Sequence, residues 1–326
     1  MKPIPVIVCL DVEPDEREID SKANKDWKGF EGTARFFVNL RPRLEEVTGA
    51  PVKFSWFFRM DPQIERTYGL PWWVVSRYRD IIKELELAGD EIGLHTHAWR
   101  WDDARQRWIT DYGDQEWVTH CVRTSFEAYV KAFGRPCLAF RFGDHWMNNE
   151  TMGLLESLGV RFDLTIEPGK KARPGLFREE VQTGSLPDYR DTPRQPYRPS
   201  RQDYRKPTRN GARDLWAIPV STGREEVSRT GRLAGLKRAA AAFGVPRRGS
   251  PSTLNLSLRA SQFSNMMDRL LNVHRVQYLA PSVRTDVCAD QTSKANLEQN
   301  VAFMLSHPQV DRFAFVTPAE AMELLS

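Results

Sequence analysis

Residues 91–99 read EIGLHTHAW, a short apolar run that ends in two histidines one residue apart, His95 and His97. On an extended chain residues i and i+2 point to the same side, so both imidazoles would face one site. Immediately upstream, Trp72–Ala88 carries apolar residues at three- and four-residue spacing, and Gly89 stands where such a helix would stop. The stretch therefore reads as helix, glycine stop, strand, polar strand end. "SLGVRFD" repeats that grammar around Gly159.

The same alternation runs outward through the chain. Strand candidates are Pro5–Leu10, Lys53–Phe58, Glu91–His95, Cys137–Arg141, Val160–Leu164, Leu215–Val220, Thr253–Leu258, Gln277–Val283 and Arg312–Val316. Amphipathic stretches between them include Thr33–Thr48, Trp72–Ala88, Gln115–Phe133, Asn149–Leu158 and Lys294–Ser306. Repeated β–α alternation implies parallel strands with right-handed crossovers, an α/β protein built as a barrel or an open sheet. In both architectures ligands gather at the carboxyl ends of the strands, so chemistry is expected just after each apolar run.

Those ends carry acids, histidines and arginines in pairs. The first, "CLDVEPD", places Asp11 and Glu13 two apart; the second, "SWFFRMDPQ", does the same with Arg59 and Asp61. The third holds His95 and His97, the fourth ("AFRFGDHW") Arg141, Asp144 and His145, and the fifth ("RFDLTIEPG") Asp163. Neutral imidazoles with a carboxylate suit Zn²⁺, Fe²⁺, Ni²⁺ or Co²⁺. A cation so held activates water, and a second carboxylate beside it can take the proton, which is what "DVE" offers. Taken singly, each signal has a plainer reading: one histidine capping a strand while the other bonds backbone, or "DVEP" as a solvated turn. Polar clusters closing five successive apolar runs favour a site.

The chain has 326 residues, 40% hydrophobic and 28% charged, an ordinary globular balance. It contains no apolar run of the roughly 18 residues that a membrane helix needs. The opening "MKPIPVIVCLDVEPD" reads as a first strand rather than a signal peptide, so the cytoplasm is the expected location. Four scattered cysteines without CxxC spacing read as thiols, not a disulfide framework. Net charge is +4, but Pro168–Asp214 holds 12 Lys/Arg against 6 Asp/Glu, and Gly223–Arg248 holds 7 against 2. Such local basicity suits an anionic partner or a solvated basic surface. With no repeat and no dividing linker, a single domain over 1–326 with a basic insertion at about 168–214 is expected. No nucleic-acid module accompanies the basic segment, and oligomeric state is not legible.

"VIVCLDVEPD", "EIGLHTH", "AFRFGDHWMNNETMGLLESLGVRFDLTIEPG" and "DLWAIPVS", in this order, resemble the polysaccharide deacetylases of the NodB-homology type (carbohydrate esterase family 4). The resemblance spans about Val6 to Leu325 and is nearest a branch associated with bacterial surface-polysaccharide (lipopolysaccharide, O-antigen) synthesis. It implies a distorted (β/α)7-like barrel, a divalent metal, usually zinc, and removal of acetyl groups from N-acetylated sugars. Carried over by motif, Asp11 falls on the general base, Glu13 and His95 on metal ligands, and Arg141 on the arginine that holds the catalytic acid. Asp163 falls in the following sugar-facing turn. Arg59, Asp61, Asp144, His145 and Trp99 are the further substrate-contacting candidates.

Two departures stand out. The family's second metal histidine falls on Trp99, leaving His97 to replace it by strand geometry. The late strand "VQYLAPSVRTD" offers Arg284 and Asp286 where the family delivers a proton-donating histidine. Arginine cannot donate a proton at neutral pH, so Arg284 could only stabilise an oxyanion. The expected function is a metal-dependent sugar N-deacetylase acting on a nucleotide- or lipid-linked amino sugar. The alternative is a catalytically degenerate relative that binds a saccharide or sugar nucleotide without hydrolysis.

Overall fold

In the computed structural model, which describes residues 2–17, 26–174, 182–224 and 251–326, seven short strands run parallel around one axis. They are β1 (Cys9–Val12), β2 (Ser55–Arg59), β3 (Glu91–Thr96), β4 (Ala139–Phe142), β5 (Phe162–Asp163), β6 (Trp216–Ala217) and β7 (Ser282–Arg284). Each of the first six lies beside its predecessor, and β7 returns to the free side of β1, so the sheet curls toward closure. Between β6 and β7 the gap is bridged by single backbone bonds. Ser221 N donates to Ala280 O (3.0 Å), Leu254 N to Ser221 O (2.8 Å) and Ser282 N to Leu254 O (3.0 Å). The architecture is a distorted (β/α)7-like barrel, as the sequence led us to expect.

Helices cover the outside. α1 (Lys28–Thr48) follows β1, α2 (Pro62–Tyr68), α3 (Trp73–Arg77) and α4 (Arg79–Leu87) follow β2, and α5 (Gln115–Phe133) follows β3. α6 (Asn149–Ser157), α7 (Ala260–Asn272), α8 (Gln291–Leu305) and α9 (Pro318–Leu325) complete the described set. None of the described helices is long and apolar enough to cross a membrane. Gly89, at φ 79°, closes α4 with bonds from Gly89 N to Glu86 O (3.0 Å) and Asp90 N to Leu85 O (3.1 Å). A left-handed glycine reverses the chain there without a Cβ clash and feeds it directly into β3.

Strand alternation separates two apolar layers. Leu10, Val12, Trp56, Phe58, Ile92, Leu94, Phe140 and Phe142 face the helices, whereas Ile7, Cys9, Phe57, Ala139 and Leu164 form the smaller barrel interior. On the interior face the register pairs Asp11 with Phe57 and Phe57 with Gly93. One step further, Arg59 pairs with His95 and His95 with Arg141. β2, β3 and β4 thus turn from apolar to charged at the same height, and β1 one step earlier at Asp11, which lays a polar floor over an apolar plug.

Some expected elements differ. Thr253–Leu258 is not a barrel strand; Pro251–Thr253 pairs antiparallel with Thr222–Arg224, and the rest makes the single bonds just described. Phe313–Phe315 pairs in parallel with Ile4–Val6, outside the main sheet. A hairpin of Trp99–Asp102 and Arg107–Asp111, unforeseen in the sequence, extends from the end of β3. The described part of the basic insertion has little regular structure but is anchored. Tyr189, Tyr197 and Tyr204 are buried, and Arg213, 6% exposed, donates to Glu156 (3.0 Å) and Asn149 O (3.1 Å). The other basic run, Gly223–Arg248, lies outside the described residues beyond its first two positions.

Candidate metal centre

Glu13, His95 and His97 converge above the barrel axis, with ligating atoms all within 4.8 Å of one another. Glu13 leaves the end of β1 two residues after Asp11, and His97 leaves the end of β3 two residues after His95, as same-face spacing requires. Glu13 Oε1 is 3.5 Å from His95 Nε2, and Glu13 Oε2 is 3.2 Å from His97 Nε2. The two Nε2 atoms face each other at 3.0 Å.

Outer contacts set the tautomers. His95 Nδ1 lies 2.9 Å from the Arg141 carbonyl, which can only accept, so Nδ1 carries the hydrogen and Nε2 a lone pair. His97 Nδ1 faces a carboxylate oxygen of Asp144 at 3.5 Å, which likewise assigns the hydrogen to Nδ1. Two nitrogen lone pairs 3.0 Å apart repel unless a cation or proton lies between them. Two imidazoles and one carboxylate fit a divalent transition metal, as such sites use these donors with each histidine's other nitrogen bonded outward. Burial would raise the Glu13 carboxyl, but Arg284 and both histidines outweigh it and hold it well below the usual range. Burial would lower His97, yet Glu13 and Asp144 bring it above its ordinary value.

Asp11 lies beside this trio, 3.9 Å from His95 Nδ1, and accepts a 2.8 Å bond from Arg141 Nε. Arg141 also donates to Leu164 O at 2.6 Å, so the guanidinium is fixed at two points. Arg284, on β7, reaches Glu13 Oε1 at 3.2 Å and is the more accessible of these groups, at 28%. The carboxylates and cations alternate closely enough that no member is an isolated buried charge, the condition under which such burial is tolerated.

Other sequence candidates take distinct places. Arg59 and Asp61 are fully buried: Arg59 Nε donates to Asp61 (2.7 Å), Arg59 Nη1 lies 3.5 Å from Glu13, and Asp61 accepts from His97 N (3.0 Å). Asp61 also caps α2 through Gln63 N and Ile64 N. They brace the trio from behind. Asp163 is 0% exposed and accepts from Thr165 Oγ1 at 2.6 Å, and its burial pushes the carboxyl up to about 7. Trp99 is 1% exposed, with the Arg17 guanidinium 5.5 Å from its ring centre, so no ring face is open for stacking. His145 faces Glu167 at 3.6 Å; burial lowers it to about 4, so it is neutral at neutral pH.

The sequence reading missed four residues here. Arg17 and Tyr112 bond Asp144, while Glu167 pairs with Lys170 and lies 3.9 Å from Arg141. Arg17 follows "DVEPD" closely and Glu167 follows Asp163 by four, so proximity to strand ends was the available signal.

Comparison of the sequence with known families and with curated proteins finds no match. Solved structures share the fold. One from Parabacteroides distasonis, assigned as a glycoside hydrolase/deacetylase, aligns at TM-score 0.58 and 12% identity over 99% of this chain and 72% of its own. The allantoinase Puue aligns at 0.52 and 13% identity, over 99% and 90%. A Pseudomonas aeruginosa structure assigned as a polysaccharide deacetylase aligns at 0.51 and 13% identity, over 98% and 90%.

Proposed function

We propose that this chain is a metal-dependent amide hydrolase that removes the acetyl group of an N-acetylated sugar. In this reading the substrate is a nucleotide- or lipid-linked precursor of a surface polysaccharide, met in the cytoplasm. The observation that carries it is the convergence of Glu13, His95 and His97 beside an Asp11 held by Arg141. The deacetylase assignments of structures with this fold support it, and the basic segment 168–214 supports an anionic carrier.

A divalent cation held by Glu13, His95 and His97, zinc before nickel, cobalt or iron, would supply a Lewis acid for the acetyl oxygen and make water acidic. Asp11 takes the proton of the attacking water and later returns it to the departing amine. Arg141, bonded to Asp11 and to Leu164 O, holds the Asp11 carboxylate aimed. Arg284, accessible on the neighbouring strand, offsets negative charge on the acyl oxygen.

To test this, bound metal is measured by mass spectrometry in wild type and in His95→Ala/His97→Ala, with acetate release from acetamido-sugar nucleotides assayed in parallel. One ion per wild-type chain, lost in the variant, with acetate release is expected. Equal metal near zero in both defeats the proposal. The second reading is a saccharide-binding protein without turnover. It is favoured by Arg284 and Arg59, whose nitrogens stand 3.2 and 3.5 Å from Glu13 and already offset its charge. Sugar binding with metal supplied and no acetate released would establish it.

A further inference from the structure

We infer that Asp144 is the positioning residue that makes His97 a metal ligand, by fixing the imidazole's Nδ1–H and thereby turning Nε2 toward Glu13 and His95. The inference rests on the metal-centre reading above, and it assigns Asp144 to the ligand rather than to substrate.

His95 and His97 differ in how their outer nitrogens are held. His95 has a backbone carbonyl, Arg141 O, at 2.9 Å. His97 Nδ1 is buried and makes no hydrogen bond among the described residues, and the group facing it is Asp144 Oδ2 at 3.5 Å. That separation exceeds an ordinary N–H···O bond by about 0.5 Å. Asp144 itself is not free to turn elsewhere. Its side chain is 3% exposed, and it accepts from Arg17 Nη2 at 2.8 Å and from Tyr112 Oη at 2.6 Å. Those donors come from the loop after Glu13 and from the hairpin after β3, so the clamp ties both ligand-bearing loops to β4.

The backbone is shaped for this contact. Asp144 and His145 both have positive φ, 55° and 49°, a region that side chains other than Asn, Asp and Gly rarely adopt. Gly143 passes directly under the His97 ring, where a Cβ would lie 2.2 Å from Cε1. The turn after β4 thus wraps the imidazole, with Gly143 against its face and Asp144 against its outer edge. An outer carboxylate of this kind fixes the tautomer and raises ligand basicity, and its loss typically costs 10–100-fold in metal affinity.

Asp144→Asn and Asp144→Gly test this, because both residues tolerate the positive φ and leave the turn unstrained. Cobalt(II) is titrated into metal-free wild type and variants against a competing chelator, and the visible d–d bands are recorded. Both variants are expected to bind roughly 10–100-fold more weakly, glycine worse than asparagine, with altered band intensity. Both variants weaken the Arg17 and Tyr112 bonds and are expected to melt lower without metal. Tyr112→Phe, which loses one of those bonds and keeps the carboxylate facing His97, is expected to bind cobalt within threefold of wild type, which separates positioning from folding. Cobalt affinity within threefold of wild type, with an unchanged spectrum, overturns the inference. Wild type that binds no cobalt overturns the metal-centre reading first, so the two failures are distinguishable.

Discussion

Gly143→Ala is the sharpest perturbation of the site, because it adds one methyl group against one ligand. The new Cβ would stand 2.2 Å from His97 Cε1 and 2.4 Å from each ring nitrogen. Ordinary contact begins near 3.4 Å, so the ring or β4 must move by about 1.2 Å, the difference between the two. Gly143 does not have a positive φ, so the clash alone is at issue, not the backbone conformation. His97 Nε2 is 3.2 Å from Glu13 and 3.0 Å from His95, and ligand distances are tolerated only to about 0.2 Å. The displaced ring therefore ceases to be a ligand. Metal affinity falls by more than the roughly 100-fold that an outer-shell loss produces. Overpacking also costs roughly 1–3 kcal/mol, a melting temperature lower by roughly 2–6 °C.

The decisive arm is the double variant Gly143→Ala/His97→Ala. With the imidazole gone the new methyl group has room, so stability recovers by about the 1–3 kcal/mol of overpacking while metal binding does not. Chelator competition reads the first quantity and urea denaturation the second. Gly143→Ala binding metal within threefold of wild type would refute the geometry. So would a double variant no more stable than the sum of the single effects.

Asp11→Asn should keep its metal yet lose acetate release by roughly 10²–10⁴-fold, the range for a lost general base; unaltered turnover would remove Asp11 from the mechanism. Asp163, pushed up to about 7 from an ordinary 3.8, keeps its proton in the folded state while the unfolded chain releases it. Stability therefore falls as pH rises from about 4 to about 7 and is level above that, by at most about 4 kcal/mol. Asp163→Asn should flatten that slope, so its advantage in urea denaturation should be larger at pH 8 than at pH 5; equal differences at both would contradict the shift. Arg213→Met removes the bonds to Glu156 and Asn149 O, while Glu156 keeps those from Arg201 and Asp214 N. It should destabilise the chain by roughly 1.5–3 kcal/mol, seen as a lower urea midpoint, whereas a change below about 0.5 would mean the segment is not anchored there.

Local grammar carried much of the fold. Gly89 and Gly159 both take positive φ at the helix ends where the sequence placed stops, and Gln115–Phe133 is a helix over those bounds. Helix pattern alone did not show the break inside Trp72–Ala88. Tyr78 leaves helical geometry there, its hydroxyl accepts from Trp27 N (2.8 Å), and its ring meets Phe30 and Trp73. That is tertiary packing overriding a continuous period. The hairpin from Trp99 was missed because its turn, "DDARQ", contains no glycine. Asp102 accepts from Ala104 N and Arg105 N, and Gln106 takes φ 50°. Helix α2 did carry a readable start, Asp61 before Pro62, that was assigned to the site instead of to a cap.

The site shows where pair spacing stops being informative. Asp11/Glu13, Arg59/Asp61 and His95/His97 have the same i, i+2 spacing on adjacent strands, and alternation correctly puts each pair on the barrel's inner face. Face does not give lateral reach. Glu13 and His97 turn over the axis and meet, whereas Asp61 stays at 0% exposure, bonding the backbone of His97 and capping α2. Whether a polar strand end contacts a ligand or supports one depends on what else can satisfy it. Asp61 finds backbone N–H donors at a helix start and Arg59 Nε finds Asp61, so this pair is held within the protein, with Arg59 Nη1 left facing Glu13 at 3.5 Å. The Nε2 atoms of His95 and His97 instead face each other at 3.0 Å beside Glu13, and that convergence, invisible in spacing, is what marks them as the centre.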